Sequence, residues 1–107
     1  MLEELREFQK GTHATSEAKG FYDNPRTPAE DFMLITCEVA EACEGDRQGN
    51  PPDSHIPEFG SIEAELADAM LRILNFAEHR KMDVIGAMIA KAEYNKNRPH
   101  MHGGKKY

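Results

Sequence analysis

Two pairs of carboxylates are the residues best able to do chemistry: Glu38 with Glu41, and Glu65 with Asp68. The members of each pair are three residues apart. On a helix that spacing sets them about 60° apart around the axis and about one turn along it, so each pair presents two carboxylates side by side. Glu4/Glu7 and Glu41/Glu44 share the spacing, so spacing alone does not select a site. Position selects it. Leu34, Glu38 and Glu41 follow the i, i+4, i+7 course that faces a neighbouring helix, while Glu65 and Asp68 flank the apolar Ile62, Leu66 and Ala69. A carboxylate bordering an apolar stripe is costly unless it is paired or bound to metal. Two antiparallel helices that bring both pairs to one level would form an all-oxygen site, which suits Mg²⁺, with Mn²⁺ the close alternative. The plainer expectation is salt bridging, because Arg72 follows Asp68 by four residues and Arg47 follows Glu44 by three.

A second set lies nearer the C-terminus. Lys91, Asn95 and Arg98 recur at four and then three residues, which places them on one helical face and its exit. An ammonium, an amide and a guanidinium fork could bind a polyphosphate, or could simply be solvated. His100 and His102 are read as solvated residues of a tail. The chain has no Walker A loop, no Rossmann glycine fingerprint, no His-Glu-x-x-His and no Gly-x-Ser-x-Gly.

The elements that must position these groups are helices. Thr27-Pro28-Ala29-Glu30 reads as a capping box with proline at the first helical position, opening a helix that runs to about Arg47 and stops at Gly49 and Asn50. Pro51, Pro52 and Pro57 make the following stretch a loop. Ser61 is expected to cap a helix over about Ile62 to Arg80, and a turn at Lys81–Asp83 leads to another over about Val84 to Asn95. Leu2 to Lys19 reads as a helix with a weak spot at Gly11, Gly20 to Arg26 as a turn, and 97–107 as an extended basic tail. The expected fold is therefore all-α, an antiparallel four-helix bundle-like single domain. Ala69 to Ala77 is apolar nearly all round, more than 107 residues can cover, so completion by homo-oligomerisation, as a dimer or tetramer, is expected.

Composition narrows the classes. A 39% hydrophobic and 30% charged chain of 107 residues allows one thin-cored globular domain. The net charge of -6 is uneven: residues 91–107 hold five Lys/Arg against one acid, and the first 90 hold eight against eighteen. An acidic body argues against nucleic-acid binding, and no run is long and apolar enough to span a membrane. Met1-Leu2-Glu3-Glu4 opens without the basic and apolar regions of a signal peptide, so a cytoplasmic location is expected. Cys37 and Cys43, six apart on one helix, are expected to be buried reduced thiols.

Taken together, these residues resemble a known family. Glu38-Val39-Ala40-Glu41 followed by Glu65-Leu66-Ala67-Asp68 is similar to the Glu-x-x-Glu … Glu-x-x-Asp signature of MazG-like nucleoside triphosphate pyrophosphohydrolases. Lys91 to Pro99 with His102-Gly103 resembles the ending of the family's short members, and His13 with Lys19-Gly20-Phe21 resembles their N-terminal segment. The resemblance implies that Glu38, Glu41, Glu65 and Asp68 bind Mg²⁺ and carry catalysis. It implies that Lys91, Asn95 and Arg98 grip a nucleoside triphosphate, which is cut to monophosphate and pyrophosphate. Two departures stand out: Cys37 precedes Glu38 where members often pair two glutamates, and the chain has no tryptophan, leaving Phe21 or Tyr22 to stack on a base. The alternatives are a sister hydrolase acting on phosphoribosyl-ATP or dUTP, and a non-catalytic dimeric helical protein whose acids are salt-bridge partners.

Overall fold

In the computed structural model, which describes residues 1–98, four α-helices follow one another: α1 (Leu2–Ala18), α2 (Pro28–Arg47), α3 (Ser61–His79) and α4 (Val84–Lys96). The described residues contain no strand; one isolated bridge, Pro52 to Gly60, pins the loop between α2 and α3. No described helix is long and apolar enough to cross a membrane. The local signals are largely kept by the backbone: Thr27 Oγ1 accepts the Glu30 amide at 3.2 Å, the Glu30 carboxylate accepts the Thr27 amide at 3.1 Å, and Pro28 sits at the first position. Gly49 and Asn50 end α2 in the left-handed region, at φ 84° and 55°. Helix α1 runs through Gly11 without a break. Positions 99–107, with His100, His102, Lys105 and Lys106, lie outside the described residues.

Two expectations are corrected. Ser61 does not cap α3; it is the helix's first residue, and its buried hydroxyl has no hydrogen-bond partner among the described residues. The cap position is Gly60, which has no side chain, and the Asn50 carboxamide supplies the missing acceptor, taking the Ile62 amide at 2.9 Å. The left-handed turn at the end of α2 aims Asn50 there, so one residue ends α2 and caps α3. Cys37 and Cys43 are exposed, not buried: they lie off the stripe of α2 that meets α3.

α3 is the central helix. It packs against α2 and α1, and α4 touches α1 lightly. α2 and α3 run antiparallel, with Gly45 against Ser61 at one end and the Phe32 and Phe76 rings 4.9 Å apart at the other. A Cβ on Gly45 would sit 2.6 Å from the Ser61 hydroxyl, so only glycine allows this approach without a shift. The buried apolar residues are small: Ala42, Ala64, Ala69 and Ala77, with Ile85 the one larger member. Small residues hold α2 and α3 close, which forces the carboxylates between them together. They also leave Leu66, Met70, Ile73, Met33 and Val39 exposed.

Because Asn50 caps α3 and Ser61 does not, the two side chains differ in worth. Asn50→Ala, which also puts alanine at a positive φ, is expected to cost about 1–2 kcal/mol. Ser61→Ala is expected to stay within about 0.5 kcal/mol. Urea unfolding of both variants beside the parent protein checks this order.

Candidate metal centre

The stripe of α2 that meets α3 carries Glu38 among the small residues Ala42 and Gly45, and α3 answers with Ala64, Glu65, Asp68 and Ala69. Glu38, Glu65 and Asp68 each offer an oxygen, and these oxygens lie within 4.8 Å of one another. The Glu38 side chain is 12% exposed. Glu41 borders the cluster through Glu65 but stands outside that group of three. Asp53, which the sequence reading passed over, adds negative charge next to Asp68 from the α2–α3 loop. Its carboxylate is fixed by the His55 and Ile56 amides, both at 2.9 Å. The signal that could have found it is the Asp-x-x-x-Pro turn inside a proline-rich loop.

The electrostatics follow from crowding. Glu65 is pushed up to about 7, first because its proton is donated to Glu41, then by burial and by Glu38. Asp68 is raised by desolvation and by the charges of Glu38 and Asp53, against the pull of Arg72. Burial alone would raise Glu38, but the Arg72 guanidinium, 2.9 Å away, and the protons of its carboxyl neighbours hold it below the ordinary range. Arg72 thus bridges to Glu38 on the other helix, where the sequence spacing suggested Asp68.

A hard divalent cation fits this set. All donors are oxygen, more negative charge is gathered than one arginine offsets, and Glu65 Oε2 is buried with no hydrogen-bond partner among the described residues. Oxygens on one octahedral Mg²⁺ stand about 3–4 Å apart, so the three carboxylates need only a small contraction to share an ion.

Beside the carboxylates lies a cleft of about 320 Å³, into which Glu38, Asp68 and Arg72 face together with Tyr22, Arg26 and Phe76. Phe21 also lines it, so both candidate stacking residues are present. The turn that carries them is held by Arg26, which pairs with Asp31 at 2.7 Å and donates to the Phe21 carbonyl at 2.8 Å. Tyr22 donates to Asn75 on α3 at 3.2 Å. Lys91, Asn95 and Arg98 do not line this cleft in the single chain; all three are exposed, with Lys91 and Arg98 5.8 and 6.0 Å from the Tyr94 ring. No family model, curated protein or solved structure matches the chain.

The raised Glu65 gives a pH signature in metal-free protein. The folded chain keeps this proton up to about pH 7, whereas the unfolded chain releases it near the ordinary value of 4.5. Folding therefore binds the proton, and this group's contribution is lost as pH rises from about 4.5 through about 7. In chelator-treated protein, Glu65→Gln is expected to flatten that part of the stability–pH curve, and saturating Mg²⁺ is expected to stabilise the parent protein more at about pH 7.5 than at about pH 5.5. Thermal unfolding across the range measures both effects.

Proposed function

We propose that the protein is a Mg²⁺-dependent hydrolase that cuts nucleoside triphosphates, dNTPs foremost, to the monophosphate and pyrophosphate, as the MazG-like signature implies. The observation that carries this reading is the meeting of Glu38, Glu65 and Asp68 between two facing helices, with a buried Glu65 oxygen that has no hydrogen-bond partner among the described residues. Mg²⁺, with Mn²⁺ as substitute, would neutralise the triphosphate and acidify a water there. Glu38, Glu41, Glu65 and Asp68 would hold the ion and accept the proton of the attacking water. The new bond joins the water oxygen to the α-phosphorus, the α–β bridging bond breaks, and pyrophosphate leaves. Arg72 and Arg26 line the same cleft and offer positive charge to the phosphates. Phe21 and Tyr22 offer rings to the base.

Lys91, Asn95 and Arg98 enter this reading through assembly. The exposed apolar residues of α3 and α2, Leu66, Met70, Ile73, Met33 and Val39, supply a surface for a second copy in a homodimer or homotetramer. Pairing through them would cover these faces, and we assign the basic face of a second copy's α4 to the phosphates. One observation favours the non-catalytic reading instead: Arg72 already pairs with Glu38, as a structural salt bridge would.

Pyrophosphate release from a panel of NTPs, dNTPs, dUTP and phosphoribosyl-ATP decides between these readings. Metal-dependent release is expected, falling at least about a hundredfold in a folded Asp68→Ala, because even residues behind metal ligands are worth 10–100-fold. No release with Mg²⁺ or Mn²⁺ from any of them would leave the helical interaction protein standing. Light scattering tests assembly: the parent is expected to be oligomeric, and Met70→Glu, which places a charge on the exposed apolar face, is expected to shift it to monomer.

A further inference from the structure

A second group of metal-ligand side chains lies away from the carboxylates and plays no part in the reaction proposed above. His13 and Glu17 stand four residues apart on α1 and so share a face. His79, in the last turn of α3, meets them: its Nδ1 is 3.1 Å from His13 Nε2, and the three residues offer ligand atoms within 4.8 Å of one another. We propose that His13, Glu17 and His79 form a binding site for a late first-row divalent cation of the Zn²⁺ type, which ties α1 to the C-terminal end of α3.

The donor chemistry selects the ion. Two imidazoles and one carboxylate suit Zn²⁺, Co²⁺ or Ni²⁺ and are poor for Mg²⁺, which prefers the all-oxygen set between α2 and α3. The geometry agrees. Two nitrogens on a tetrahedral zinc at 2.0–2.1 Å stand about 3.3 Å apart, close to the separation of the two histidines. Without metal that contact is a hydrogen bond, which requires one ring to donate and the other to accept. With metal, both nitrogens turn a lone pair on the ion, so little movement is needed. The His79 ring is also held in place, stacked on Tyr22 at 4.1 Å between centroids, and the His13 ring closes the triangle at 4.9 Å from Tyr22 and 5.3 Å from His79. Arg26 and Arg80, which line the neighbouring cleft with His79, share the Asp31 carboxylate, which offsets one of their two charges.

The location gives the ion a task. Gln9 on the same helix reaches Glu78 near the end of α3 at 3.1 Å, and Arg6 reaches Asp83 at the start of α4, so polar contacts help fasten α1 on this side. A thin helical domain with alanine for a core gains from a metal clip there. The Tyr22 stack carries the clip's rigidity into the cleft beside the carboxylates.

Co²⁺ titration of the full chain tests the site, with millimolar Mg²⁺ present to occupy the carboxylates. Visible d–d bands of low-coordinate Co²⁺, saturating at one equivalent, displaced by Zn²⁺ and accompanied by a rise in melting temperature, are expected. His79→Ala is expected to abolish the bands, and Glu17→Gln, which preserves the histidine stack, to weaken binding more than about tenfold. Glu65→Gln is expected to leave them intact. Absent bands, bands unchanged in a folded Glu17→Gln, or bands lost only when His55, His100 or His102 is replaced would overturn the proposal. Should His79→Ala fail to fold, the Glu17→Gln titration decides it.

Discussion

Like-charge crowding between α2 and α3 is the constraint on which the rest of this structure depends. Glu38, Glu65 and Asp68 meet where two helices approach closely, Glu41 borders them through Glu65, and Asp53 adds to the field from the loop. A single guanidinium, Arg72, offsets part of it. Repulsion and desolvation both oppose a fully ionised cluster, and a retained proton or a bound cation relieves them. The high pKa of Glu65 expresses the first solution, and its orphaned oxygen leaves room for the second.

The packing that enforces this crowding is made of small residues. Ala42 and Gly45 on α2 and Ala64, Ala69 and Ala77 on α3 fill the centre, and no large side chain is fully buried among the described residues. Small side chains let helices approach, but each removes little apolar surface from water, about 25 cal/mol per Å². The fold compensates with polar fastenings: the Thr27–Glu30 capping box, Asn50 reaching to α3, Arg26 holding the α1–α2 turn, Gln9 tying α1 to the end of α3 and Arg6 tying it to the start of α4. The large apolar residues that a bigger domain would bury, Leu66, Met70 and Met33 among them, stay at the surface. One feature thus links the site to assembly: the alanine seam that gathers the acids is also what leaves the outer faces uncovered.

The cleft and the histidine pair share a wall in Tyr22. Tyr22 bonds to Asn75 at the cleft wall and stacks on His79 farther along α3. Arg26 and Arg80 converge on Asp31 just behind it. An aromatic and ionic cluster of this kind positions Tyr22 with more precision than a free turn would, because its side chain is held from two directions, while Phe21 is held through its backbone carbonyl.

The sequence by itself determined the helices and the carboxylate pairs. A capping box, helix-spaced apolar residues and proline or glycine stops act within a few residues, so the spans of α1 to α4 were legible to within a residue or two, and the three-residue spacing already placed each acidic pair on one face. Only the tertiary structure decided what those faces meet. It gave Arg72 to Glu38 across the helix pair, where the i, i+4 rule pointed to Asp68, because a partner on the facing helix lies nearer than the next turn. It capped α3 with Asn50 from twelve residues upstream of Ile62, turned Cys37 and Cys43 outward, and set Lys91 and Asn95 on a helix that packs on α1, with Arg98 just past its end and none of the three lining the cleft. It brought Asp53 beside Asp68 and His13 to His79. Each of these depends on which faces close against one another, and that choice is made by packing between segments distant in the chain, beyond the reach of local spacing.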